Sequence, residues 1–248
     1  EGQVNYAARL AHVEEAQPTG VHGELHQFAD RCVEHLCPER LEERLATVHD
    51  ALMFRIARCK EATPANAPIL YQFGAFGKRL GPADAVDQLF ANGRATVSLG
   101  YIGLYEVATA FYGGEWERDD EAKAFTLSVL RSLKTHAQNW TRASGYQVSV
   151  YSTPSESLTD RFCRMDKERF GSVPDITDKD YYTNSFHYDV RKNPTPFDKL
   201  DFEAPYAELA TGGFIHYCEY PVLQSNPKAL EAVWDYAYDR VGYLGTNT

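Results

Sequence analysis

The sequence predicts an α/β fold with mainly parallel strands. Two observations carry this. Short apolar runs rich in Val, Ile and Tyr alternate with longer stretches whose apolar residues recur at three- and four-residue steps. Strand–helix alternation of that kind builds a sheet through helical crossovers. About five strands are expected, at residues 4–11, 68–73, 95–99, 146–151 and 213–220, with helices on the outer face.

The elements follow in chain order. VNYAARLA (4–11) reads as a short strand, and Pro18 and Gly20 mark a loop. Leu25, Phe28, Cys32 and Leu36 have helical spacing, and Pro38 ends that helix. A second helix spans about 39–59, with Leu41, Leu45, Val48, Leu52 and Ile56 in line. TPANAP is a loop and PILYQF a buried strand. A glycine-containing loop covers 74–81, ADAVDQLF a short helix, ATVSL a strand and YIGLYEVATAF a helix. The spacing predicts a long helix over 119–139, with Ala124, Leu127, Leu130 and Leu133 on one face. YQVSVY is a strand, 154–170 a helix, and 177–196 mostly loop with a short strand. FIHYCEY (214–220) is a strand, 227–240 a helix, and VGYLG a last strand or turn.

Composition narrows the function. Of 248 residues, 44% are hydrophobic and 24% charged, so a packed core is expected. A net charge of −10 argues against a nucleic-acid binder, which would carry a basic face. An anionic small substrate stays open, because a local site can be positive within an acidic protein. The five cysteines are Cys32, Cys37, Cys59, Cys163 and Cys218; with no C-x-x-C pair, a cysteine zinc site is not expected within these residues. A reducing cytoplasm fits this usage, and no apolar run is long enough for a membrane span. The chain starts without Met and has strand-like runs near both ends, so a piece of a longer protein is expected.

Substrates of such folds bind beyond the carboxyl ends of the strands. That places candidate loops after Phe73, Leu99, Tyr151 and Tyr220. Neither a G-x-x-x-x-G-K-[ST] loop nor a G-x-G-x-x-G fingerprint occurs. FGAFGKR reads as a tight turn, and the glycines of SLGYIG serve either close ligand approach or helix–strand packing. FHYDV and IHYCEY set His187, Asp189, His216, Cys218 and Glu219 at strand spacing. His216 and Cys218 share one face and Glu219 takes the other. Structural histidines and buried thiols, Cys163 included, are the expected reading.

The most informative stretch is YSTPSESLTDRFCRMD (151–166). Thr153 as N-cap, Pro154 as first helical residue and Glu156 as third would form a capping box. The same turn can also hold a ligand. Its N–H groups at Thr153, Ser155 and Glu156, with the hydroxyls of Ser152, Thr153 and Ser155, surround a helix N-terminus, which attracts anions. Glu156 either caps Thr153 or faces the substrate, where a carboxylate moves protons.

Five stretches resemble one family along most of residues 55–248: KEATPANAPILYQFGAFGKRL, RATVSLGYIGLYEVATAFYGGEW, SVYSTPSESLTDRFCRMD, DITDKDYYTNSFHYDVRKNPTPFDKLDFEAPY and GGFIHYCEYPVLQSNPKALEAVWDYAYDRVGYLGTNT. The family is the catalytic subunit of the anaerobic (class III) ribonucleoside-triphosphate reductase, a glycyl radical enzyme. Residues 12–40 resemble it weakly. The resemblance implies conversion of ribonucleoside triphosphates to 2′-deoxyribonucleoside triphosphates. A stored glycyl radical generates a thiyl radical that takes the 3′ hydrogen, and formate serves as reductant. It implies that residues 1–248 form the C-terminal half of a ten-stranded α/β barrel. It also implies ATP or dATP effectors on a preceding cone domain, a radical-SAM activating enzyme and a homodimer.

The sequence departs from the family's pattern at the radical residues. The thiyl cysteine of a Cys-Arg-Ser-Phe loop is expected upstream of Glu1. The four-cysteine zinc site and the Arg-x-Cys-Gly-Tyr glycyl loop are expected beyond Thr248. None of the five cysteines matches the thiyl position, and VGYLGTNT is not the glycyl loop. These 248 residues alone are therefore expected to be inactive. The resemblance places a glutamate at Glu156 near the reacting end, making it the expected catalytic residue, with Ser152, Thr153, Pro154, Ser155 and Ser157 binding substrate. The alternative is a non-catalytic nucleotide-binding or scaffolding protein derived from the reductase.

Overall fold

The computed structural model describes residues 37–152, 155–221, 223 and 225–247. The helix expected at 24–36 and the strand expected at 4–11 lie outside them. The chain divides into two compact units, one holding Gly100–Ser132 and Tyr151–Thr248, the other Gln27–Leu99 and Leu133–Val150.

In the second unit, α1 (Cys37–Lys60) buries Leu45 and Ile56 from the expected stripe. Residues 68–73 correct the sequence reading. They form no strand: α2 (Pro68–Tyr71) is a single helical turn that Pro68 opens, followed by turns through Gly77. Ile69 and Leu70 are exposed, so the run is not a buried core segment. The Gly77 N–H donates to the Gly74 carbonyl at 2.9 Å, the tight turn expected of FGAFGKR. A 3₁₀ helix (Val86–Gly93) takes the place of the short helix in ADAVDQLF, and Leu80, Val86 and Leu89 form a small core. β1 (Val97–Gly100) pairs with β2 (Val148–Tyr151), in which Val148, Ser149 and Val150 are all buried.

The first unit contains α3 (Leu104–Tyr112), the start of α4 (Asp120–Ser144), α5 (Glu156–Phe170), α6 (Pro196–Ala207), β3 (His216–Glu219), α7 (Pro227–Tyr238) and β4 (Leu244–Asn247). Its core gathers Leu104, Tyr105, Trp116, Leu130, Phe186 and Tyr206. The buried stripe of α4 runs through Ala122, Thr126, Leu130, Leu133 and Ala137, whereas Ala124 is exposed. The expected face was therefore rotated: Thr126 belongs to it because its hydroxyl meets the buried Tyr206 phenol at 2.7 Å.

β3 and β4 pair in parallel, His216 opposite Leu244 and Cys218 opposite Thr246. His216 and Cys218 are buried and Glu219 is exposed, as the strand alternation requires. α6 is an element that sequence reading missed. Thr195 caps it, its Oγ accepting the Asp198 N–H at 3.2 Å, and Pro196 is its first residue. No helix among the described residues is long and apolar enough to cross a membrane.

Candidate active site

The carboxyl ends of β1 and β2 lead into two short segments that a third segment ties together. Beyond β2, Ser152 is fully buried. Its N–H donates to the Gly213 carbonyl at 2.9 Å, and it bridges Phe214 in parallel. Its Oγ donates to the Tyr101 phenol oxygen at 2.8 Å. Tyr101 follows β1, and burial pushes its phenol up, so it stays protonated and its O–H remains a donor.

α5 begins at Glu156 with Ser155 as N-cap. This corrects the capping box expected from Thr153. The helix starts two residues later than the Thr-Pro signal predicts, and no side chain caps it. Instead the Ser155 N–H donates to Asn184 Oδ1 at 2.8 Å. That N–H is therefore engaged by protein and is not free for an anion. Ser155 is half-buried and Ser157, in the first turn, is exposed. Thr153 and Pro154 lie outside the described residues.

Asn184 belongs to a strap, residues 182–189, that passes both segments. Its backbone forms an antiparallel bridge with Ile102, and the Gly103 N–H donates to the Thr183 carbonyl at 2.9 Å. Gly103 sits at φ +75°, in the left-handed region. That backbone conformation by itself calls for glycine, which has no Cβ to strain it. Gly103→Ala is expected to cost about 1–3 kcal/mol for the strained backbone alone. A denaturant midpoint unchanged from the parent would contradict this.

Two buried carboxylates hold the strap. Glu106, on α3, accepts at Oε1 from the Thr183 N–H at 2.8 Å, the Thr183 hydroxyl at 2.7 Å and the Lys179 ammonium at 2.5 Å. Lys179 also reaches Asp189 at 3.3 Å, and Arg191 donates to Asp189 through Nε and Nη2 at 3.0 and 2.8 Å. Burial pushes the Asp189 carboxyl up, but the Arg191 hydrogen bonds and the Lys179 charge outweigh it and hold the group low.

Glu203, on α6, is fully buried. Its Oε1 accepts from the Tyr188 N–H at 3.0 Å and faces His187 Nδ1 at 3.1 Å; Oε2 faces His216 Nδ1 at 3.0 Å. The Lys199 ammonium, one helical turn earlier, completes the set. Burial alone would raise this carboxyl. The two imidazoles and Lys199 reverse that and hold it far below the usual carboxylate range.

Both histidines face the buried Glu203 carboxylate, a partner that was not found from sequence. One signal was available: Lys199 and Glu203 are four apart, a helical ion-pair spacing. Glu106 had another, as a charge inside the apolar stretch LYEVATAF. The buried thiols hold as read. Cys163 Sγ donates to the Lys179 carbonyl at 3.2 Å, and burial raises both Cys163 and Cys218. Among the described residues no group of three or more His, Cys, Asp or Glu is placed to hold a metal ion.

In fold, this is an α/β chain of the anaerobic ribonucleotide reductase type. A solved chain described as anaerobic ribonucleotide reductase matches with a TM-score of 0.61, covering 90% of this chain and 33% of that one. The Thermotoga maritima enzyme with dATP bound in its specificity site matches with a TM-score of 0.58, covering 98% of this chain and 36% of that one. Both are 16% identical, a likeness of fold alone. Sequence goes further. The family described as anaerobic ribonucleoside-triphosphate reductase matches residues 29–248, and the chain belongs to that family. It is 54% identical over 209 residues to the Escherichia coli anaerobic ribonucleoside-triphosphate reductase and 47% to that of Enterobacteria phage T4. Each match covers 84% of this chain, but 29% of the first relative and 33% of the second. The chain thus spans about three-tenths of the length of these relatives.

Proposed function

We propose that the chain is part of an anaerobic ribonucleoside-triphosphate reductase that converts ribonucleoside triphosphates to 2′-deoxyribonucleoside triphosphates. The family match over residues 29–248 carries this reading, because it takes in every segment of the candidate site. In this reading the chain is the C-terminal half of a ten-stranded α/β barrel, and the carboxyl ends of its strands face the substrate.

A glycyl and a thiyl radical would supply the hydrogen-atom abstraction, from residues other than those named below. What this chain supplies is a shaped, proton-handling wall. Loss of the ribose 2′-hydroxyl as water needs a proton at the leaving oxygen. Glu156 is the group proposed to deliver and recover it. Ser152, Thr153, Pro154, Ser155 and Ser157 form the substrate-binding turn around it. Since the Ser155 N–H is engaged by Asn184, and the Ser152 N–H and hydroxyl by Gly213 and Tyr101, phosphate contact falls to the other groups of the turn. Tyr101, held by Ser152, offers a further donor there.

Formate as reductant, ATP or dATP effectors on a cone domain, a radical-SAM activating enzyme, a homodimer and a cytoplasmic location complete the proposal. The test is anaerobic turnover by the full-length protein carrying these residues, with its activating enzyme and formate. Formation of deoxyribonucleoside triphosphate is expected. Nucleotide binding by the activated protein without any product would overturn the reading in favour of a derived, non-catalytic binder.

A further inference from the structure

We propose that Asn184 is a positioning residue: its side-chain oxygen fixes the start of α5 and thereby the place of Glu156. This rests on the role given to Glu156 above. Three observations carry it. First, the Ser155 N–H, one residue before Glu156, has Asn184 Oδ1 as its partner, although the two are 29 residues apart. In a capping box the N-cap N–H is taken by a side chain of the helix's own first turn; here an amide distant in sequence takes it.

Second, Asn184 is itself anchored on both sides. Immediately before it, the Thr183 N–H and hydroxyl are held by Glu106. Shortly after it, His187 and the Tyr188 N–H are held by Glu203. Two buried carboxylates from different helices therefore fix the strap to either side of this one amide. Third, the Asn184 backbone bridges Ile102, in the segment following β1. One residue thus connects the segments beyond two neighbouring strands, Tyr101–Gly103 by its backbone and Ser155–Glu156 by its side chain. A reacting carboxylate needs such support, because misplacement by an ångström can cost about 10²-fold in rate.

The chemistry dictates the variants. Asn184→Ala removes the acceptor and leaves the Ser155 N–H to water. Asn184→Asp keeps an oxygen of the same reach facing that N–H, and a negative charge near a helix N-terminus is favourable. In the full-length, activated protein, Asn184→Ala is expected to lower kcat about 10- to 10²-fold with KM for the nucleotide little changed. Asn184→Asp is expected to recover most of that loss. Hydrogen exchange at the Ser155 amide should quicken in the Ala variant and not in the Asp variant.

Wild-type kcat in Asn184→Ala, with Ser155 exchange unchanged, would overturn the proposal. So would equal losses in both variants accompanied by a lowered Tm, since that is plain destabilisation. The two readings fail separately: a fully active Glu156→Gln sinks the role of Glu156, whereas an inactive Glu156→Gln beside a fully active Asn184→Ala sinks only this one.

Discussion

Glu203→Ala lowers the stability of the folded protein by about 3–5 kcal/mol, a fall in Tm on the order of 10 °C. The size follows from what the carboxylate holds. Lys199, His187, His216 and the Tyr188 N–H all converge on it, and Glu203, His216 and Lys199 are almost wholly removed from water. Truncation leaves a buried ammonium without its counter-charge and three further donors without an acceptor. Breaking a buried pair from one side is costly for that reason, whereas replacing both partners by apolar groups often is not. Glu203→Leu combined with Lys199→Met should therefore be more stable than Glu203→Ala alone.

The acid side gives a second readout. A carboxyl held below its unfolded value stabilises the fold fully above the unfolded pKa. That contribution drains as pH falls toward the folded value. Glu203 and Asp189 are both held low, so the parent loses stability as pH drops below about 5. Glu203→Ala should show a shallower loss across the same range. A Tm by circular dichroism within a degree or two of the parent would contradict the account of this cluster.

How far the sequence could be read depended on what kind of signal each element carries. α1, α3, α7 and the strands at 97–100, 148–151 and 216–219 were legible because periodicity marks burial directly. PILYQF was not. A short apolar run bounded by turn residues looks alike as a strand or a helical turn, and length and flanks arbitrate poorly at four residues. Capping signals proved ambiguous in the same way. The chain contains three Thr-Pro-x-polar stretches, at Thr63, Thr153 and Thr195. The first opens a 3₁₀ turn, its N–H donating to Asn66 Oδ1 at 2.7 Å. The third caps α6. Behind the second, α5 starts only at Glu156, because a side chain distant in sequence takes the Ser155 N–H. α6 itself was hidden by Pro205, which sits inside the helix and interrupts the expected pattern.

Of the candidate stretch, the strand ending at Tyr151 and the helix behind it were legible, since periodicity marks both. Its supports were not. Asn184, Glu106 and Glu203 act across 15 to 77 residues of sequence, and no local spacing encodes such partners.

If the proposed role of Glu156 holds, Glu156→Gln is expected to lower turnover of the full-length protein by about 10²-fold or more, the low end for general acid–base catalysis. Gln keeps the size of the side chain and its hydrogen-bonding oxygen, so folding and nucleotide binding stay close to the parent. What it loses is the ability to give and take a proton, which departure of the 2′-hydroxyl requires. The direct measurement is single-turnover formation of deoxyribonucleoside triphosphate by the activated Glu156→Gln protein at saturating substrate, alongside the nucleotide Kd. The account predicts an unchanged Kd with product formation slowed about 10²-fold or more. Parent-like turnover in that variant would contradict it and leave Glu156 as the first residue of a helix and nothing else.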